Sequence, residues 1–385
     1  MKNLNMIILV AIAVTGCVYP FEMEDAVHSE SLVVEGDILI GDVSKITLGT
    51  VQPLNSDTYA MNAVGRVWIE DENGKVYEDP QPFAASSFSI DMTEAPSDVR
   101  YRLRIKLSRP IGDSGSTEFS SEWVDVQPAP VIDALEKELD TDDLSLLLSL
   151  SSPGGSGCFR WDYDEIWEFH AELQATVMYN FGSGTYTSYD EVEGGNPYNW
   201  CWGYASSTQA GLAIAKSTGG EKLVDRPILS IPRSSNKLQT LYYVKVKARD
   251  ISEACYEFLH AIEVNSTSTG SLTTPDPSKV VGNIRSDTDP SEFVVGYIEA
   301  ARVAIKEMFI DKSAYKPPRF FFDKVEASGS AVDRAALDLL YSNGYRPYFT
   351  ENLGATYLWA ERRCVDCTAN GGTKTKPDFW PSDQK

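Results

Sequence analysis

Tyr101-Arg102-Leu103-Arg104-Ile105-Lys106-Leu107 alternates large apolar with basic residues without a slip. A period of two sends successive side chains to opposite faces of an extended strand, so one face here is buried and the other wet. A sheet wetted on one side is characteristically antiparallel, and a second sheet must cover its apolar face. The basic face of Arg102, Arg104 and Lys106 could be taken for an anion site, but alternation accounts for it without a ligand.

Working outward, Leu32-Val33-Val34-Glu35-Gly36-Asp37-Ile38 and Lys45-Ile46-Thr47-Leu48 read as strands. Val64-Gly65-Arg66-Val67-Trp68-Ile69-Glu70 runs to Asn73-Gly74, a strong hairpin signal, and Lys75-Val76-Tyr77 returns. A strand near Phe119 to Val126 closes a first sandwich over 31–127, immunoglobulin-like or transthyretin-like in kind, and Gln127-Pro128-Ala129-Pro130 is a plausible linker.

The second sandwich, fibronectin-III-like, is expected over 131–265. It opens with Leu144-Ser145-Leu146-Leu147-Leu148-Ser149-Leu150 and a turn at Pro153-Gly154-Gly155. From Phe159 to Leu173 the odd positions Phe159, Trp161, Tyr163, Trp167, Phe169 and Leu173 are apolar, and Arg160, Asp162, Asp164, Glu168, His170 and Glu172 take the even ones. Asp162, Asp164, Glu165 and Glu168 invite a paired-carboxylate enzyme, because acid and base work needs two carboxyls in different environments. The pattern reads more simply as a half-buried strand with a solvated charged face. Leu241 to Ala248 is another strand, and a helix over 250–263 is expected to start with Asp250 as cap and Glu253 reaching back. Cys255 falls on its apolar face, as a core thiol would.

Within this unit residues 174–210 mix aromatics with glycine. Tyr186, Tyr198, Trp200, Trp202 and Tyr204 are the candidate partner or ligand loop, since rigid rings supply contact area at low entropic cost. A long insertion packed on the sandwich explains them equally. Residues 266–385 form an irregular C-terminal region with one helix, signalled by Ser330, Val332, Asp333, Ala336, Leu339 and Leu340 and ended near Asn343-Gly344. The fold class is thus mainly β: two consecutive β-sandwiches with long insertions, a few helices and an irregular end.

The N-terminus gives an address. Lys2, the short apolar run Met6 to Val14 and the small residues Val14-Thr15-Gly16 before Cys17 resemble a bacterial lipobox. Residues 1–16 are then a signal peptide, Cys17 carries the lipid, and 17–30 are an acidic tether with Glu22, Glu24 and Asp25. Acyl chains at about 0.8 kcal/mol per methylene hold a protein on a membrane without a spanning helix. The chain has 34 Lys plus Arg against 56 Asp plus Glu, a net charge of −22 that disfavours nucleic acid as a partner. His28, His170 and His260 share no ligand spacing, so neither metal nor cofactor is expected.

The last third carries a resemblance. Pro275-Asp276-Pro277, Val280-Val281-Gly282-Asn283-Ile284, Val294-Val295-Gly296-Tyr297-Ile298-Glu299-Ala300, Cys364-Val365-Asp366-Cys367-Thr368-Ala369-Asn370-Gly371-Gly372-Thr373 and Lys376-Pro377-Asp378-Phe379-Trp380 look like the family called domain of unknown function 4249. Phe159-Arg160-Trp161-Asp162-Tyr163, Cys201-Trp202 and Val33-Val34-Glu35-Gly36 also match its pattern, and Ile298 departs from it where phenylalanine is more usual. The resemblance implies an outer-membrane lipoprotein, often encoded beside a TonB-dependent transporter, with no established enzymatic activity.

Cys364 and Cys367 supply half of the ligands a structural zinc requires, and the βαβ setting of a redox pair is missing. A structural disulfide is expected instead, either between Cys364 and Cys367 or from one of them to Cys201 or Cys158, with Phe379-Trp380 tying the end back onto the body. Three functions compete. The first is a non-enzymatic lipoprotein of the outer membrane, with the cell-surface face favoured over the periplasmic one, that serves a TonB-dependent barrel or its ligand. The second is a surface hydrolase of glycan or peptide, which needs convergent catalytic groups in one cleft. The third is a passive envelope scaffold.

Overall fold

The computed structural model describes residues 32–50, 64–80, 86–108, 116–207, 213–217, 222–267, 281–328 and 334–381. The signal peptide, Cys17 and the acidic tether lie outside the described residues.

The alternating stretch forms the strand Tyr101–Ser108, central in a five-stranded sheet ordered Ile284–Ser286, Ser116–Ser121, Tyr101–Ser108, Val64–Asp71, Val76–Glu78. Tyr101, Leu103 and Ile105 point into a core shared with Ile46, Leu48, Phe88 and Ile90 from the facing sheet. On the wet face each basic residue meets a carboxylate on a neighbouring strand. Arg102 bonds Glu70 at 2.7 Å, Lys106 bonds Glu118 at 2.8 Å, and Trp123 and Trp68 lie under the guanidiniums of Arg102 and Arg104. The ladder neutralises its own charge, as cross-strand pairs of opposite sign do.

The facing sheet is ordered Val294–Val295, Leu32–Glu35, Val43–Thr50, Ser87–Asp91. Residues 284–302 were expected in a separate C-terminal region, yet they complete this first sandwich. Ile284–Ser286 and Val294–Val295 cover one edge of each sheet, and Ala300–Arg302 runs parallel between Ile38–Ile40 and Val126–Gln127. These strands have two or three residues each, too few for a period to register, and short edge strands blunt an open edge.

In the second sandwich Val131–Leu139, Asp143–Ser151 and Lys222–Pro232 face a sheet ordered Trp200–Ser206, Cys158–His170, Leu241–Asp250, Ala304–Asp311. Leu144, Leu146, Leu148 and Leu150 pack against Phe159, Trp161, Tyr163, Tyr242, Val244 and Val246. The helix is Glu253–Thr267, and its cap is Ser252, whose hydroxyl accepts from the Cys255 N–H at 3.1 Å. Asp250 does not cap it. That residue ends the strand, and its buried carboxylate accepts from the Ser152 hydroxyl. Cys255 is a core thiol, 1% exposed, whose titration burial pushes far up.

The insertion and the C-terminal region make a third unit together. The hairpin Val177–Asn180 and Thr185–Ser188 packs beside a sheet of Val325–Ser328, Thr356–Glu361 and Tyr345–Glu351 and the helix Arg334–Ser342, around Tyr179, Leu337 and Trp359. That helix stops at Gly344, φ 87°, in the left-handed conformation that favours glycine.

The even face of Cys158–His170, expected to be solvated, is instead an interface at both ends. At one end the first sandwich docks. Asp37, 4% exposed, accepts from Arg160 at 2.9 Å and from Arg249 at 2.8 Å; Arg249 also reaches Asp162 at 2.6 Å, and Lys247 reaches Asp42 at 2.6 Å. Gly36, just before Asp37, lets the chain turn close against the strand Val43–Thr50 of its own sandwich, since its φ is +134° and an added Cβ would lie 2.3 Å from the Lys45 carbonyl oxygen. A buried charge persists only when paired and hydrogen-bonded, which these are. The C-terminal tail covers the other end.

Candidate functional site

At the tail-covered end, the outer face of the second sandwich is built from four strands. Ile166, Glu168 and His170 of the long strand lie beside Trp202 and Trp200 on one neighbour and Leu241 and Tyr243 on the other, with Phe309 beyond. Alternation places these side chains on one side because every one sits in register with the next.

The tail is fixed at three points, the first behind the sheet beside Phe169, the second along the edge strand Trp200–Ser206 and the third on this face. Cys367 is disulfide-bonded to Cys201, with a Cα–Cα distance of 5.8 Å. Trp202 and Thr373 exchange both backbone hydrogen bonds at 2.8 Å. Trp380, 4% exposed, packs on Leu241 and Tyr243 and donates its indole N–H to Glu168 Oε2 at 3.1 Å. Gly372 lets the tail pass over the disulfide, since a Cβ there would sit 2.5 Å from Cys201 Cβ and 2.7 Å from the Phe169 ring.

The disulfide is therefore one of the alternatives left open by the sequence, Cys201 with Cys367. Cys364 and Cys367 are not bonded to each other; Cys364 is a free thiol, 2% exposed, packed with Ala175, Ala360 and Val365, and burial raises its pKa. The spacing of two cysteines gave no hint of which partner the sheet would bring closer.

Of the five expected loop residues, Trp200, Trp202 and Tyr204 lie along one face of Trp200–Ser206. Tyr198 immediately precedes them with its ring under the Lys374 ammonium at 4.9 Å. Tyr204 is 48% exposed and donates its hydroxyl to the Thr375 carbonyl at 3.3 Å. Tyr186 is not part of this group. It stacks on Tyr357 at 3.5 Å inside the third unit, and burial raises its phenol to about 12. Phe309 and Phe379, which sequence reasoning missed as surface groups, join the cluster. Both are ring neighbours of Tyr243 at 4.9 Å, with 43% and 53% of their surface exposed. The strand Ala304–Asp311 alternates Ile305, Glu307 and Phe309 on its outer face, a signal that was present but not read.

The result is an aromatic ledge of Tyr198, Tyr204, Phe309 and Phe379, backed by Tyr243, Trp202 and Trp380. Of the four carboxylates that invited a paired-carboxylate enzyme, three are engaged structurally, while Asp164 is exposed on the outer face near Tyr243. Glu168 holds Trp380, Asp162 holds Arg249, and Glu165 points to the opposite, core side, where it accepts from Lys237 at 2.6 Å and Tyr242 at 2.9 Å. A cleft of about 380 Å³ lies away from the ledge between Ile40, Gly41, Ala95, Ser97, Arg302 and Val303. Its lining holds neither carboxylate, histidine nor cysteine, so acid–base chemistry there would need groups from elsewhere.

Among solved structures the chain is similar to the selenomethionine-substituted chicken interferon gamma receptor alpha chain, at 11% identity over 57% of this chain and 89% of that one, with a TM-score of 0.18. It is also similar to a two fibronectin type-III domain segment from chicken tenascin, at 11% identity over 56% and 88% of the two chains, with a TM-score of 0.17. No curated protein sequence matches. The sequence profile of one family matches residues 18–307, a span that takes in both sandwiches, and the chain accordingly belongs to the family described as domain of unknown function, DUF4249.

Proposed function

We propose that this chain is a non-enzymatic accessory protein of the outer membrane, lipid-anchored through Cys17, whose aromatic ledge docks a TonB-dependent transporter barrel or a ligand on its way to one. The observation that carries the reading is the exposure of Tyr204, Phe309 and Phe379, each between 43% and 53%, on a base fixed by a disulfide and a buried tryptophan. Rings held by a rigid sheet lose little entropy on binding and serve as interface anchors. The engagement of Asp162, Glu165 and Glu168 in structural bonds leaves Asp164 as the one exposed carboxylate of the four, where a paired-carboxylate hydrolase needs two, and so weighs against that reading.

The test is purification of the tagged full chain from detergent-solubilised outer membranes. A barrel should accompany it in constant ratio, and a Phe309→Asp, Phe379→Asp variant should lose the barrel while staying in the membrane fraction. Absence of any barrel across several detergents and growth conditions, or its retention by the variant, would sink the proposal. Cys17→Ala should leave the fold intact and free the protein from membranes; a variant that still pellets with them after a salt wash contradicts the anchor.

A further inference from the structure

The four-stranded face of the second sandwich ends on one side at a strand that nothing extends among the described residues. Ala304–Asp311 pairs with Leu241–Asp250 over all eight of its residues without a register shift, and no further backbone bond reaches it among the described residues. Every second residue of such a strand turns its N–H and C=O away from the sheet, a template for another strand. The protein blunts its other long edges. Trp200–Ser206 is bridged by the tail at Thr373, Val131–Leu139 slips register between Ile132 and Ala134, Lys222–Pro232 contains Pro227, and Tyr345–Glu351 contains Pro347. The remaining edge strands have five residues or fewer. Ala304–Asp311 is thus the one long, regular, proline-free edge among the described residues.

We infer that this edge receives an extended segment of a partner protein, added as an antiparallel strand. The inference goes beyond the docking role proposed for the ledge and shares only Phe309 with it. The outward N–H and C=O groups repeat at strand spacing, which a polypeptide matches and a glycan or lipid does not. Side chains then set the sequence of the incoming segment, because directly opposed residues of an antiparallel pair share a face. Ile305, Glu307 and Phe309 stand on the outer face, Lys306 and Met308 on the inner one. Ile305 and Phe309 are 47% and 43% exposed. Lys306 is exposed with no carboxylate partner among the described residues, and Glu307 stays half exposed beside Lys245 at 3.7 Å. The complementary segment is therefore apolar opposite Ile305 and Phe309, basic opposite Glu307 and acidic opposite Lys306. A second copy of this chain fits poorly. Lys306 and Glu307 lie on opposite faces and never oppose one another across an antiparallel self-pair, and centring that pair on either residue sets like charges together.

The test uses the full chain and a synthetic peptide reading Thr-Val-Val-Lys-Glu-Val-Thr, with hydrogen–deuterium exchange as the readout. With peptide at ten times its dissociation constant, the outward amides within 304–311 should slow roughly tenfold. Of two peptides N-methylated on alternate residues, the one that blocks the ladder should abolish the slowing and the other should keep it, since only half of a strand's N–H groups face a neighbour. Glu307→Lys should weaken binding roughly fivefold, the scale of one exposed ion pair, and a peptide with Glu in place of its lysine should recover it. Equal behaviour of the two methylated peptides would overturn strand addition, as would unchanged exchange at 304–311 with millimolar peptide. Protection of the same amides in the free chain, with a dimer in sedimentation, would overturn it in favour of a second copy. Neither membrane nor barrel takes part, so a negative result here leaves the co-purification test standing.

Discussion

Cutting the Cys201–Cys367 bond is the most informative perturbation. The two residues are 166 apart, and the loop they close includes most of the second sandwich and the third unit. Loop-closure entropy for a span of that length corresponds to about 5 kcal/mol removed from the unfolded state, an upper figure because residual structure in that state reduces it. Cys201→Ser, Cys367→Ser and the double variant should each lose about 3–5 kcal/mol in denaturant titration, and the double should cost little more than either single, since all three remove one bond. Cys364→Ser should lose about 1–3 kcal/mol, the cost of a hydroxyl where a buried thiol sat. Non-reducing digestion should recover a peptide joining Cys201 to Cys367. The reasoning fails if Cys201→Ser costs less than about 1 kcal/mol while Cys364→Ser behaves like Cys367→Ser, the pattern a Cys364–Cys367 bond would give.

Other outcomes follow from the same contacts. Trp380→Ala removes a buried ring and the donor to Glu168, and because the tail is a terminal strap the loss of about 3–5 kcal/mol should appear locally, as faster amide exchange at Trp202 and Thr373 with little change in the sandwich cores; unchanged exchange would deny that Trp380 holds the strap. Asp37→Ala leaves Arg160 without its carboxylate and Arg249 with Asp162 alone between the sandwiches and should cost about 3–5 kcal/mol in thermal or chemical unfolding, and a loss under about 1 kcal/mol would mean the cluster is not buried as described. Burial raises Asp250 to about 6 from 3.8, so the folded state binds its proton more tightly than the unfolded one. Its contribution is therefore fully present below about pH 4 and lost as pH rises through about 6; relative to the parent, Asp250→Asn should gain up to about 3 kcal/mol between pH 4 and pH 8, and parallel stability curves would refute the shift.

What the sequence made legible is local. The strand Tyr101–Ser108, the return after Asn73-Gly74 and the helix stop at Gly344 each follow from residues within reach of one another. What it hid is pairing at a distance. Arg160, Asp162 and Glu168 look like a wet strand face because alternation reports only that a face is polar, while the partners that bury it, Asp37 and Trp380, lie 123 and 212 positions from Arg160 and Glu168. The ledge was half visible for the same reason. Trp200, Trp202 and Tyr204 stood out by composition, while Tyr186, equally aromatic, turned inward, because its hairpin found the C-terminal sheet to pack on.

The route of the backbone also governs when the molecule can fold. The chain leaves the first sandwich near Gln127, builds most of the second, and returns at Ile284 to lay down the edge strands of the first. A polypeptide emerging N-terminus first therefore cannot close either sandwich until residues beyond 300 have been delivered. Severing the chain at Pro128-Ala129-Pro130 would not yield two autonomous halves, because the N-terminal piece would lack Ile284–Ser286, Val294–Val295 and Ala300–Arg302. Such interleaving keeps a nascent polypeptide open for threading and makes its folding a single late event.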